Sequence, residues 1–114
     1  MTNAELIQKM AFMNGDIDKL FDVLFWIGKG TASIENRQNE NWDIECIISI
    51  PKRNEENVEI VIGNRHTDFQ PYVTWHCLDK SKYMWGHYCQ TLDGVKEEAK
   101  QKLRMELGMY REEM

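Results

Sequence analysis

The chain is poor in proline, has no low-complexity segment and lacks a long apolar run. Two prolines in 114 residues leave no obvious linker, so we expect a single domain over residues 1–114. The longest apolar run, Val23–Ile27, is far shorter than the roughly 20 residues that span a bilayer. The first ten residues also lack the basic start and apolar stretch of a signal peptide. These absences predict a cytoplasmic protein that makes no membrane contact.

Metal-binding and phosphate-binding motifs are absent as well. The sequence contains no CxxC or HxxxH pair and no GxxxxGK[ST] loop, and no nucleophile stands in a recognisable catalytic motif. Its three cysteines are an odd number, which cannot form a closed disulfide set. Cys46, Cys77 and Cys89 lie within apolar strand patterns, which indicates buried free thiols. We therefore expect no cofactor, assign no metal site and assign no catalytic residue.

The charge is negative and unevenly distributed. The formal net charge is −5, and residues 35–59 carry seven acids against three bases. An acidic surface repels phosphate backbones, which argues against direct nucleic-acid binding. The same segment can dock on a basic protein surface, or it can simply be a solvated face. The candidate partner-binding acids are Glu35, Glu40, Asp43, Glu45, Glu55 and Glu56.

Apolar periodicity predicts an α+β fold. A helix over 3–12 and a second one, capped by Asp16 and ended by Gly28, precede a weak strand signal at 31–36. Residues 42–50, 58–62 and 72–89 then alternate with the period of strands, and the last of these ranges is a hairpin. Helical spacing returns from Leu92, with Thr91 as the N-cap. We expect an antiparallel meander of four to five strands, packed by the C-terminal helix and one or two N-terminal helices.

The hairpin over 72–89 concentrates the side chains that can stack, hydrogen-bond or bind a metal. A loop at Lys80-Ser81 would place Asp79 opposite Lys82. Pairing outward from this loop predicts four further cross-strand pairs, which are His76–Trp85, Trp75–Gly86, Thr74–His87 and Tyr72–Cys89. One face would then be core, and it comprises Val73, Trp75, Cys77, Met84, Gly86 and Tyr88. The other face would meet solvent or a ligand, and it comprises Tyr72, Thr74, His76, Leu78, Tyr83, Trp85, His87 and Cys89.

Four interpretations of that second face remain open. His76, His87 and Cys89 are possible metal ligands. Either histidine, oriented by an aspartate, is a possible acid–base catalyst. The tyrosines and Trp85 are also rigid anchors of the type found at interface hot spots. Finally, cross-strand aromatic and histidine pairs can serve only to stabilise the sheet. The residues assigned to partner binding here are Tyr72, Thr74, His76, Tyr83, Trp85 and His87.

The last third of the chain carries a resemblance. Val73-Thr74-Trp75, Gly86-His87-Tyr88 and Ala99 occur in one stretch, residues 72–103. In this stretch the chain resembles small uncharacterised proteins of bacterial phages and mobile elements, in which a VTW strand precedes a GHY-like strand and an Ala-containing helix. The resemblance implies an accessory factor that acts on a larger protein of the host or of the element.

The order of a meander followed by a helix is also similar to double-stranded RNA-binding domains. Glu97 and Glu98 dilute the basic residues that such a helix needs, so we do not expect this activity. The sequence favours a non-enzymatic protein-binding module, with a phage or mobile-element modulator of a host protein as its specific form. The alternatives are a small metal- or His-dependent enzyme centred on His76 and His87, and a homodimer formed through the exposed hairpin face.

Overall fold

The computed structural model describes residues 17–50 and 58–107. Helix α1 spans Ile17–Glu35 and helix α2 spans Leu92–Glu106. Between them lie β1 (Gln38–Asn39), β2 (Trp42–Ile50), β3 (Val58–Asn64), β4 (Tyr72–Leu78) and β5 (Lys82–Cys89), which form one antiparallel sheet in chain order. The α+β prediction, with its meander and flanking helices, is confirmed. Neither described helix is long and apolar enough to cross a membrane. The predicted helix over 3–12 and Asp16, the predicted cap of the second helix, lie outside the described residues.

Helix α1 runs past Gly28, so its predicted end there and the strand at 31–36 are wrong. Gly28 serves close packing rather than termination, because a Cβ at this position would lie 2.7 Å from Cys46 Sγ and 2.8 Å from the Ile47 carbonyl oxygen. The helix then continues through Ala32, which is buried. Sequence alone cannot separate a glycine that ends a helix from one that lets a helix approach a strand.

Helix α2 follows its sequence pattern closely. The Thr91 hydroxyl accepts a hydrogen bond from the Gly94 amide at 3.0 Å, as expected of the N-cap. Val95, Ala99 and Leu103 face inward with no exposed surface. The helix therefore lies with its apolar stripe on the sheet.

Both faces of the sheet are buried along β3 and β4. Both helices cover one face, and the first apolar cluster lies between the helices and the sheet. A second cluster fills the opposite face of the curled sheet, where Trp42 and Trp75 meet edge to face at 5.6 Å between ring centroids. The second cluster comprises Ala32, Trp42, Ile44, Ile47, Val61, Val73, Trp75 and Cys77. This two-sided burial explains the nearly continuous apolar runs of β3 and β4.

A buried ion pair lies at the margin of the second cluster. The two terminal nitrogens of Arg37, Nη1 and Nη2, donate to the two carboxylate oxygens of Glu59 at 3.1 and 2.8 Å. Nη2 also donates to the Tyr83 hydroxyl at 3.0 Å. Glu59 is only 3% exposed, so the guanidinium supplies the charge that this carboxylate needs in a dry setting.

The β4–β5 hairpin contains an irregularity that the sequence did not predict. Leu78 pairs with Lys82, so the loop has three residues rather than the two predicted. A bulge at Trp85 and Gly86, opposite Trp75, then shifts the register by one. As a result Thr74 pairs with His87 and Tyr72 with Cys89, as predicted. His76 pairs with Met84 instead of Trp85, which corrects the predicted partner.

Candidate functional site

The β5 bulge displays Trp85 at the surface. Trp85 has a φ of 58°, in the left-handed region that a bulky side chain rarely adopts, at a cost on the order of 1–3 kcal/mol. The next residue has no side chain, and a Cβ on Gly86 would lie 2.8 Å from the Trp75 indole nitrogen. The backbone therefore bends around Trp75 and leaves the Trp85 side chain 67% exposed.

Two contacts hold Trp85 in this position. The Lys102 ammonium, on α2, donates to the Trp85 carbonyl oxygen at 2.7 Å. The Trp85 ring meets the His76 imidazole edge to face, with 5.0 Å between ring centroids. Burial lowers the pKa of Lys102, as expected for an ammonium enclosed beside a helix and a strand. Both the backbone and the ring of Trp85 are therefore held in place.

Beneath the indole, His76 pairs with a carboxylate of α2. His76 is 3% exposed, and its Nε2 lies 2.9 Å from Glu106 Oε2. Three charged residues of α2, Glu98, Lys102 and Glu106, are spaced one turn apart. Glu98 and Lys102 contact β5, and Glu106 contacts β4. Glu98 meets His87 at 3.5 Å between Oε1 and Nδ1. This row fixes α2 against the strands that carry both histidines.

Trp85 and the His76–Glu106 pair border a cavity of about 170 Å³, which we call the Trp85 groove. Apolar side chains form much of its wall, while the imidazole and the carboxylate give it a polar part. The lining residues are Val58, His76, Leu78, Met84, Trp85 and Glu106. The volume suits one long side chain, since a larger ligand needs about 300 Å³ or more.

The expectation that the histidine-bearing face of the hairpin is open is wrong for most of its length. Helix α2 covers it, so Thr74 and His76 are buried and Tyr72 packs against the first cluster. Tyr83 lies on the opposite face, where its ring meets Trp75 at 5.2 Å. The three-residue loop moves Tyr83 there, because it pairs Tyr83 with Cys77. Of the hairpin residues assigned to partner binding, Trp85 and His87 are exposed. The predicted core face is buried at Val73, Trp75 and Cys77 of β4. On β5 the same prediction is wrong, because Met84 pairs with His76 and lines the Trp85 groove, while Gly86 and Tyr88 are exposed.

The candidate acids of the 35–59 segment are largely engaged within the protein. Glu35 contacts Arg37 at 3.0 Å and Lys80 at 3.5 Å, and the hydrogen bond from Arg37 lowers the pKa of Glu35. Asp43 lies 2.8 Å from His66. Hydrogen bonds from Gln38 and then His66 lower the pKa of Asp43.

The other acids of this segment are spread out. The Asn64 amide donates to the Glu45 carboxylate at 3.2 Å, and Glu40 is exposed. Glu55 and Glu56 lie outside the described residues. The described acids therefore do not gather at one binding surface.

The two histidines do not converge on a common ligand. His76 meets Glu106 and His87 meets Glu98, each on its own turn of α2. Within the ranges 17–50 and 58–107, no three His, Cys, Asp or Glu side chains are arranged to hold a metal ion. The Cys89 thiol donates to the His87 carbonyl oxygen at 3.9 Å rather than to an imidazole.

The thiols offer a direct check of this arrangement. Burial raises the pKa of the Cys46 thiol to about 12, and burial also raises the pKa values of Cys77 and Cys89. We expect a thiol reagent at pH 8 to modify Cys89 slowly and to leave the two buried cysteines intact. All three should react in denaturant. Rapid modification of two or more thiols in the native protein would contradict the burial.

Sequence reasoning missed Glu106, which lines the Trp85 groove, and Lys102, which donates to the Trp85 carbonyl oxygen. The available signal is their spacing: charges at 98, 102 and 106 repeat every four residues on one side of the α2 apolar stripe. Which strand they face depends on the sheet register and could not be read from the chain. No protein-family model matches this sequence, and neither the curated proteins nor the solved structures include a match.

Proposed function

We propose that the protein is a non-enzymatic protein-binding module that captures a basic side chain of its partner in the Trp85 groove. The observation that carries the proposal is the exposed Trp85, fixed on a strained bulge beside a cavity. Tryptophan is the residue type most enriched at interface hot spots, and fixing it beforehand reduces the entropy lost on binding. An exposed indole on a strained backbone does not stabilise the folded protein by itself. It does favour recognition, because the side chain is already in place for a partner.

The lining of the groove favours a lysine or arginine side chain. Its aliphatic stem can pack on Leu78 and Met84, and its cationic end can reach the Glu106 carboxylate. The indole of Trp85 adds a cation–π contact of about 0.5–2 kcal/mol. Basic partner chemistry also agrees with the net charge of −5, because opposite charge speeds the encounter.

A phage or mobile-element modulator acting on a host protein is the biological form of this proposal, and it rests on the resemblance of residues 72–103. Modulators of this kind work by occupying a surface of a larger protein, which requires binding and no chemistry. We place the protein in the cytoplasm, where unpaired cysteines remain reduced.

A second candidate is His-dependent catalysis, which the His76–Glu106 pair favours. A carboxylate 2.9 Å from an imidazole nitrogen orients the ring, as in a general acid–base catalyst. Against this, the described lining of the groove contains no hydroxyl or thiol that the histidine could activate. Binding without chemistry accounts for both the exposed indole and the polar part of the groove.

The test uses the isotope-labelled full chain and a decapeptide of alternating lysine and serine. We expect the Trp85 indole signal to shift on titration in proton–nitrogen correlation spectra. The same peptide with acetylated lysines keeps the stem and loses the charge, and it should bind at least about tenfold more weakly.

Trp85→Ala should weaken binding of the lysine peptide by about 30-fold or more, the effect of losing a hot-spot side chain. Trp26→Ala is the matched control, because Trp26 is exposed to the same degree, 70% against 67% for Trp85, but lies on α1. Equal losses in the two variants, or equal binding of the acetylated peptide, would overturn the proposal. If the protein turns over model substrates and His76→Gln abolishes that turnover, the result would support the catalytic candidate instead.

A further inference from the structure

A groove lies between the second half of α1 and β2, and its volume of about 450 Å³ exceeds that of the Trp85 groove. We call it the α1–β2 groove. The volume falls in the range of small-molecule sites, which begins at about 300 Å³. The two grooves have no lining residue in common, so the inference does not depend on the proposed function. The residues that line the α1–β2 groove are Lys29, Ala32, Ser33, Asn36, Ile44 and Glu45.

Helix α1 forms one wall of the α1–β2 groove. Gly28 brings the helix onto β2, since a Cβ there would lie 2.7 Å from Cys46 Sγ. The groove residues of α1 follow at spacings of three and four, so they lie on one face of the helix. On that face Ala32 is buried and Ser33 is exposed, and neither side chain is long enough to fill the space. The groove therefore opens one turn beyond the closest approach of helix and strand.

A bulge in β2 places a carboxylate in the opposite wall. The register shifts between Ile44 and Cys46, which leaves Glu45 as the extra residue of the bulge. Glu45 is half-buried and lines the groove, and its carboxylate accepts a hydrogen bond from the Asn64 amide at 3.2 Å. Bulges redirect side chains and are common beside binding sites, which agrees with this position of Glu45.

A second cavity, of about 50 Å³, adjoins the α1–β2 groove. Lys29 and Glu45 border both cavities, so the two charges lie where the cavities meet. The volume has room for about three or four carbon atoms, which suits a short aliphatic side chain and excludes a ring. The rest of the wall is largely apolar and comprises Phe25, Cys46, Ile62 and Leu92.

Neither Lys29 nor Glu45 forms an ion pair with a residue of the described ranges. The Lys29 ammonium lies over the Phe25 ring instead, 5.6 Å from its centroid, and the Lys96 ammonium lies 4.5 Å from the same centroid. Burial raises the pKa of the Cys46 thiol, and the charges of Lys29 and Lys96 oppose this rise. The smaller cavity therefore has two ammonium groups near it as well as the Glu45 carboxylate.

We propose that the junction of the two cavities binds a free α-amino acid with a small aliphatic side chain. The Lys29 ammonium contacts the carboxylate of the ligand, and the Glu45 carboxylate contacts its ammonium. Because both residues border a cavity of only about 50 Å³, the two charged groups of the ligand must lie close together, as they do on the α-carbon of an amino acid. The aliphatic side chain enters the smaller cavity, and the wider α1–β2 groove is the entry path.

The test is titration of the isotope-labelled full chain with L-valine, read at the Glu45 amide and Ile62 methyl signals. We expect saturation with a dissociation constant of about 1 mM or lower, which a ligand of this size can reach. N-acetyl-L-valine lacks the ammonium and L-valinamide lacks the carboxylate, so each should bind at least about tenfold more weakly. L-phenylalanine should also bind at least about tenfold more weakly, because its ring exceeds the smaller cavity.

Two charge-removing variants assign the contacts. Glu45→Gln should weaken binding of L-valine at least about tenfold but should not weaken binding of N-acetyl-L-valine, which has no ammonium to lose. Lys29→Met should weaken L-valine to the same degree and should not weaken L-valinamide. Glu40→Gln and Lys82→Met are the matched controls, because both residues are exposed and line neither cavity. Both controls should bind L-valine as the unaltered chain does.

The absence of any shift at tens of millimolar L-valine would overturn the inference. Equal binding of L-valine and L-valinamide would overturn it as well, and it would assign the site to the amino terminus of a peptide. Trp85→Ala should leave the binding of L-valine unchanged, so a failure here is distinguishable from a failure of the Trp85 groove.

Discussion

Replacing Arg37 with alanine is expected to lower the free energy of unfolding by about 3–5 kcal/mol, which is what removal of one partner of a buried ion pair costs. The reason is that the Glu59 carboxylate would remain in place without its partner. Glu59 is 3% exposed and takes both of its short charged contacts from Arg37. Without the guanidinium, it would have to stay charged in a dry site or take up a proton.

The guanidinium is strongly held in the native state. Burial by itself would lower the pKa of Arg37, but hydrogen bonds with Glu59, Tyr83 and Glu35 outweigh it and raise the pKa above its ordinary value. Loss of Arg37 would also leave the Tyr83 hydroxyl without this donor. The destabilisation should therefore exceed that of a typical surface arginine several-fold.

Urea denaturation of three variants measures this effect. Arg65→Ala is the control, because each arginine lies over an aromatic ring, Arg37 at 5.8 Å from the Tyr83 centroid and Arg65 at 4.6 Å from the Trp42 centroid. Loss of Arg65 should cost about 1 kcal/mol or less. A double variant, Arg37→Met with Glu59→Leu, removes both charges and should recover most of the stability. A cost below about 1 kcal/mol for Arg37→Ala would show that Glu59 is solvated.

The second large effect concerns two glycines only two positions apart. Gly28→Ala is expected to destabilise the protein by about 1–3 kcal/mol through overpacking, and Gly30→Ala to stabilise it by up to about 1 kcal/mol. Both replacements gain the same helix propensity. Only at Gly28 does the added methyl group meet other atoms, namely Cys46 Sγ and the Ile47 carbonyl. The backbone carbonyl cannot move without disturbing the β2–β3 pairing.

Thermal unfolding compares the two glycine variants. Opposite signs are the expected result. Changes of the same sign would contradict the close approach of α1 to β2, since propensity alone stabilises both. A double variant should show the sum of the two effects within about 0.5 kcal/mol, because the two added methyl groups share no neighbour.

The regular parts of the fold were predictable because local patterns determine them. Helix α2 has a Thr91 cap and an apolar stripe that needs no tertiary information, and the alternation in β2 predicts the two faces of that strand. The end of α1 was not predictable, because the role of Gly28 depends on a strand that lies eighteen positions further along the chain. A propensity scale contains nothing about such a contact.

The candidate site was likewise predictable only where local sequence patterns determine it. The concentration of aromatic and histidine residues in 72–89 predicted the hairpin that carries the candidate site. Its bulge, however, comes from Trp75 packing onto Gly86 across the strands, and no local signal marks it. The partner of His76 is thirty positions away, at Glu106. Which side of the hairpin α2 covers follows from the curl of the whole sheet.

The two outer strands of the sheet have a consequence for behaviour at high concentration. An outer strand presents unpaired amides and carbonyls, onto which strands of other molecules can add without limit. Here β1 is two residues long, and β5 is broken by its bulge and begins with an exposed lysine. Both ends of the sheet are therefore poor templates for fibril growth, even though β3 and β4 carry apolar sequences that would aggregate readily if they lay at an edge.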